Sequence, residues 1–232
     1  MHLSDAHHSR KTLAGACMVV APLVLLAAMV IHPASDMDEA TQVATIADNL
    51  DAWYLAHLLA LVSIALMVPA VLGLMHMLRE REVALGHLGG GLALLGSLVL
   101  MLFWGVALMQ WQMVRGAGDR TQMTSLLDRF MHTTGTQVFL FLGLALTIGL
   151  VVLALGLWRA RAVHWSIAGA LAAGAVVLQA GFFVGNEAAY FIVASAILFV
   201  ALATMGRMVL TETDEAWEHT PEHTGFRAVT GH

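Results

Sequence analysis

The side chains best suited to chemistry in this 232-residue chain are histidines, with a few amides and one carboxylate, set near the ends of long apolar runs. His32 closes the first run, and His57 lies about one turn inside the second, just past Trp53 and Tyr54. On successive antiparallel helices these two imidazoles fall at comparable depth. Neutral imidazole ligates zinc or copper, with a carboxylate or thioether completing the set. Gln110 near the end of the third run, Gln179 in the fifth and Glu187 at the turn into the sixth lie toward the same face. The pattern nominates His57, Gln110, Gln179 and Glu187 as ligand-binding residues, and His32, His57 and Glu187 as metal ligands. His132 belongs to the same side but to a surface segment. His76, His87 and His164 sit at opposite boundaries beside arginines, where helix ends and headgroups occupy imidazoles.

What the sequence lacks narrows the chemistry further. No Asp, Glu, Lys or Arg falls in the central part of any run, whereas carboxylate-coupled pumps and voltage sensors place a charge there. The single cysteine, Cys17, rules out an internal disulfide and a cysteine-cluster metal site. The only lysine, Lys11, precedes the first run, which removes an intramembrane Schiff base. No HExxH, GxSxG, Walker or dinucleotide motif is present, so no catalytic residue is assigned and enzymatic activity is left open. Haem ranks below zinc or copper, because the only run with two histidines carries His57 and His76 at opposite faces. Fourteen methionines would signify copper handling only if several converged; at their spacing they read as packing residues. A formal net charge of −5 gives no basic face for nucleic acid.

The elements that must position these groups are membrane helices. With 59% hydrophobic and 12% charged residues, the chain lies outside the soluble norm, and its main partner is the lipid bilayer. The second run, WYLAHLLALVSIALMVPAVLGLMHM, is uncharged and long enough to cross about 30 Å of hydrocarbon. Six such runs predict an all-α, polytopic helix bundle: Leu13 to Ile31, Trp53 to Met77, His87 to Met113, Gln137 to Trp158, Val163 to Val184 and Ala188 to Leu210. Two polar stretches carry apolar residues at helical spacing, Val43, Ile46, Ala47 and Leu50 in the first, and Met123, Leu126, Leu127, Phe130 and Met131 in the second. Both predict amphipathic helices lying on the outer membrane surface. Residues 1–12 form a cytoplasmic N-terminal segment, 13–210 the six-span domain and 211–232 a disordered acidic tail.

Most Lys and Arg residues, from Arg10 to Arg227, fall on one side, with Arg115, Arg120 and Arg129 on the other. This places both termini in the cytoplasm of a bacterial plasma-membrane protein. Small residues Gly89, Ala93 and Ser97 in the third run, and Gly169 and Ala173 in the fifth, predict close packing of those helices on each other or on a partner. That packing is compatible with a homo-oligomer or a larger membrane complex.

His32-Pro33, the acidic surface segment, AWYLAHLLALVSIALMVPAVLGL and the glycine-rich helix after it together resemble uncharacterised six-span bacterial membrane proteins known only as domains of unknown function. The resemblance implies architecture and carries no substrate, cofactor or site residue. The expected function is an outward-facing polar pocket containing histidine, which binds or transports a small ligand or metal ion. Two alternatives stand beside it: a non-catalytic accessory subunit of a membrane complex, and a haem- or copper-binding redox subunit.

Overall fold

The computed structural model describes residues 3–34, 38–116, 118–184 and 187–221, with the side chains of 3–6, 182–184 and 187 not included. The described residues fold entirely as helices: α1 (Leu3–Ile31), α2 (Glu39–Asp48), α3 (Leu50–His76), α4 (Val83–Arg115), α5 (Arg120–Met131), α6 (Thr134–Arg159), α7 (Trp165–Val184), α8 (Glu187–Thr211) and the short α9 (Asp214–Trp217). Five of them, α1, α3, α4, α6 and α8, are long and apolar enough to cross a membrane. The expected sixth span, over 163–184, falls on α7, 20 residues long, whose apolar stretch within the described residues, Trp165–Gly181, is shorter than in the other five. Pro22 and Pro69 both lie inside their helices, α1 and α3.

The six long helices form a closed ring. In chain order α1, α3, α4, α6, α7 and α8 each pack on the next, and α8 returns to α1. Neighbours run antiparallel: late Gly73 of α3 meets early Ala14 of α1, early Gly89 of α4 meets late Leu153 of α6, and Gly174 of α7 meets Leu198 of α8. The centre is filled by fully buried Met18, Leu74, Leu150, Leu171, Leu198 and Leu202, so the ring encloses a packed core.

Glycine sets the closest approach. A Cβ at Gly96 would land on the Leu146 backbone, and one at Gly149 on the backbone of Ala93 and Gly89, so α4 and α6 meet backbone to backbone. This corrects the expected pairing of the third and fifth apolar runs, because α4 packs on α3 and α6, while α7 packs on α6 and α8. A Cβ at Gly169 would meet nothing within 4 Å, so that glycine faces outward.

One end of the ring is held by the C-terminal segment. Trp217 is 4% exposed and its ring lies 4.3 Å from that of His76. Arg79 donates to the carbonyls of Trp217 and Glu218, and Lys11, itself buried, donates to the Glu212 carbonyl and pairs with Asp214. His7 meets Glu218 at 2.6 Å, His8 meets Asp214 at 3.1 Å, and His219 meets Glu80 at 2.9 Å. The backbone N–H of Thr220 also donates to Glu80. The expected disordered tail therefore does not describe residues 212–221, which clasp the ends of α1 and α3; residues 222–232 lie outside the described part. Those hydrogen bonds hold the Asp214 carboxyl below the usual carboxylate range, chiefly through Lys11, that of Glu218 through His7, and that of Glu80 through the Thr220 N–H and His219.

Candidate functional site

At the opposite end of the ring, α1 ends and α3 begins. Trp53 and His57 are one turn apart on α3, so their rings lie on one face, with centroids 4.5 Å apart. His32, immediately after α1, closes the group at 5.2 Å from Trp53 and 4.9 Å from His57. Trp53 is 1% and His57 6% exposed.

Hydrogen bonds fix these orientations. The Trp53 indole N–H donates to the carbonyl of Ala107 on α4, 3.1 Å away, which anchors the cluster to a third helix. His57 Nδ1 lies 2.8 Å from the Trp53 carbonyl. A carbonyl only accepts, so Nδ1 carries the proton and Nε2 keeps its lone pair. Burial pushes the His32 pKa below its ordinary value, against the opposing effect of the Pro33 backbone. His32 is therefore held in the neutral, ligating form. Next to the cluster, Trp111 lies against Tyr54 at 4.6 Å and under the Arg115 guanidinium at 5.1 Å, while its buried indole N–H has no hydrogen-bond partner among the described residues.

The sequence-nominated residues separate into three groups. His32 and His57 come together as their depth predicts. Gln110 lines a different space, a pocket of about 100 Å³ between α2, α4 and α5, whose walls include Ile46, Met113, Met123 and Leu127. That pocket is apolar, so the expected polar, histidine-lined pocket is corrected on this point. Gln179 is on the far side of the ring, where its side-chain oxygen accepts from the Thr147 hydroxyl on α6 at 3.3 Å. It does not join the histidines. Depth along a helix axis predicts which groups share a level but not which face they occupy, and Gln179 shares only the level. The Glu187 side chain lies outside the described residues.

Sequence reasoning passed over a second constellation. Glu39 at the start of α2, with Asp128 and His132 at the end of α5, brings three potential ligand atoms within 4.8 Å of one another. This cluster can coordinate a metal ion. His132 Nδ1 also lies 2.9 Å from the Asp128 carbonyl and 3.1 Å from its carboxylate. The i,i+4 spacing of Asp128 and His132 was the available signal, but Glu39 is remote in sequence and joins them only through the packing of α2 on α5.

No protein-family model, curated protein or solved structure matches the chain. Of the family resemblance, what stands is the coarser statement that this is a multi-span, mostly helical, membrane-like protein.

Proposed function

We propose that this chain crosses the bacterial plasma membrane six times with both termini in the cytoplasm, and that its outer end binds a zinc or copper ion between His32 and His57. The clasp supports the sixth crossing. His7, His8 and Lys11 at the start of α1 meet Asp214 and Glu218 after α8, so both chain ends lie at one end of the ring. That arrangement needs an even number of crossings, and α7, with 20 residues, reaches about 30 Å. Arg10, Lys11, Arg79, Arg81, Arg159, Arg161 and Arg207 belong to the clasp end, against Arg115, Arg120 and Arg129 at the other, which favours a cytoplasmic clasp. The helices α2 and α5 then lie at the outer surface.

The observation that carries the binding reading is the 4.9 Å between the His32 and His57 rings, combined with the pinned His57 tautomer. Two imidazoles bound to one tetrahedral ion, with M–N of about 2.0–2.1 Å, place their ring centres roughly 5 Å apart. Axial ligation on both faces of a haem would separate them by about 6.4 Å, which disfavours the haem alternative. The His57 Nδ1–H bond to a backbone carbonyl is the outer-shell contact that orients a ligating histidine. Water would supply the remaining ligands.

Titration of the purified protein with Zn2+ and with Cu(I) tests this reading. His57→Ala and His32→Ala should each weaken binding of one equivalent at least tenfold, and His57→Ala, which removes a buried side chain, should in addition cost about 2 kcal/mol of stability while leaving the protein folded. Wild-type stoichiometry and affinity in both variants would remove the site.

A further inference from the structure

We propose that Glu39, Asp128 and His132 bind a divalent cation of the zinc class that staples α2 to α5 and so closes the roof of the apolar pocket beneath them. The site is separate from the His32–His57 pair and does not depend on that reading. Two carboxylates and one imidazole are a borderline-metal donor set, and their ligand atoms lie within 4.8 Å of one another. Ligand atoms on a tetrahedral zinc are separated by roughly 3.3–3.5 Å, so closing requires rotations of about 1 Å. Asp128 and His132 are exposed and Glu39 is half-buried, so those rotations displace no core side chain.

The local structure supplies the three donors from two elements. Asp38 is the N-cap of α2 and accepts from the Thr41 N–H, which leaves the cap to Asp38 and sets Glu39 in the first turn. His132 is the C-cap of α5, and its backbone N–H bonds the Asp128 carbonyl, so the two side chains share one helical face. The Arg129 guanidinium turns back along α5 to the Ser125 carbonyl. A cation here joins residues some 90 positions apart in the chain and neutralises two carboxylates that would otherwise repel.

The position of the cluster gives the staple its consequence. Glu39 precedes the pocket-lining Val43 by one turn, and Asp128 follows the pocket-lining Leu127. The same two helices that hold the ligands therefore form the pocket roof over α4. Beyond its contact with α5, α2 packs on α4 and slightly on α3, while α5 meets the long helices only slightly, at α4 and α6, so both surface helices are held less firmly than the long helices hold one another. A crosslink between the first turn of α2 and the end of α5 is placed to tighten both.

Hydrogen exchange of the full chain in detergent or nanodiscs, with and without Zn2+, provides the test. Zinc should slow exchange across residues 39–48 and 120–131 at least tenfold, and Asp128→Asn with His132→Ala should abolish the effect. His57→Ala should leave it intact, which separates this site from the buried pair. The proposal falls if zinc gives wild type no protection in these helices, or if the Asp128→Asn/His132→Ala variant keeps it. Because both altered side chains are exposed, the variant's unchanged exchange without zinc serves as the check on folding, and Glu39→Gln alone should give an intermediate loss.

Discussion

The two ends of the helix ring solve opposite problems with similar residues. At the clasp end, His7, His8 and His76 each face a carboxylate or a backbone carbonyl on the C-terminal segment, and His219 of that segment faces the Glu80 carboxylate, so they tie one part of the chain to another. At the other end, His57 uses one nitrogen on its own helix, and its second nitrogen is not committed by any contact found among the described residues. Each clasp histidine, like His57, has one ring nitrogen bonded to a partner among the described residues, but there the partner belongs to another segment and ties two parts of the chain, whereas His57 bonds its own helix and stands beside a second imidazole. The same side chain thus joins two segments or stays on its own helix according to where the fold places the partner of its bonded nitrogen.

The comparison presupposes that both ends rest on one rigid middle, and the largest effect should appear there. Gly89→Leu drives a branched side chain into the α6 backbone near Gly149 and Leu153, and should cost upwards of about 3 kcal/mol or abolish the folded protein. Gly169→Leu, with open space at its Cβ, should leave thermal stability in detergent unchanged. Equal losses in the two variants would mean that α7 packs where the structure leaves it free.

Next in size, Trp217→Ala should destabilise by about 3 kcal/mol, the lower range for truncating a buried Trp. Metal retention at the opposite end should not change. Denaturant unfolding and metal titration of the same sample measure both, and a parallel loss of metal would show that the two ends are coupled rather than independent.

The smallest effect is that of pH on the clasp. Asp214, Glu218 and Glu80 have lowered pKa values when folded, so their contribution is fully present above the ordinary carboxylate range of about 4 and is lost as the pH falls through their folded values. Burial raises the Glu212 pKa, which opposes them by favouring its protonated form, while Lys11, Arg79, His7, His8, His76 and His219 are the facing groups. On balance, protection factors in residues 212–220, which divide out the intrinsic pH dependence of amide exchange, should fall below about pH 4 and stay flat between about pH 5 and 8. A fall in those protection factors on raising the pH through that plateau would show that protonated histidines, and not the carboxylates, hold the clasp.

The apolar runs made the bundle legible, since hydropathy reads out length directly and α3 occupies nearly the stretch expected, beginning at Leu50 rather than Trp53. The meeting of His32 and His57 was legible for a related reason: successive antiparallel helices bring equal depths together. Gln179 was not, because a helix apolar on every side gives no rotational signal. The pairing of α4 with α6 was hidden by glycines on both α4 and α7, only some of which face another helix. In the tail, acidic composition masked the one informative residue, Trp217, whose burial needs partners from α1 and α3 that no local pattern reveals.

Closure of the ring between α1 and α8 also sets a clock on biogenesis. Gly15 rests against Gly206 and Leu210, so the first helix gains its last neighbour only after about 190 further residues have been made, roughly 10 to 40 s at ordinary translation rates. Through that interval α1 must stand in the bilayer with a small-residue face uncovered and Lys11 unpaired, and a ribosome that stalls before α8 leaves behind an intermediate that membrane quality control can recognise by that open seam.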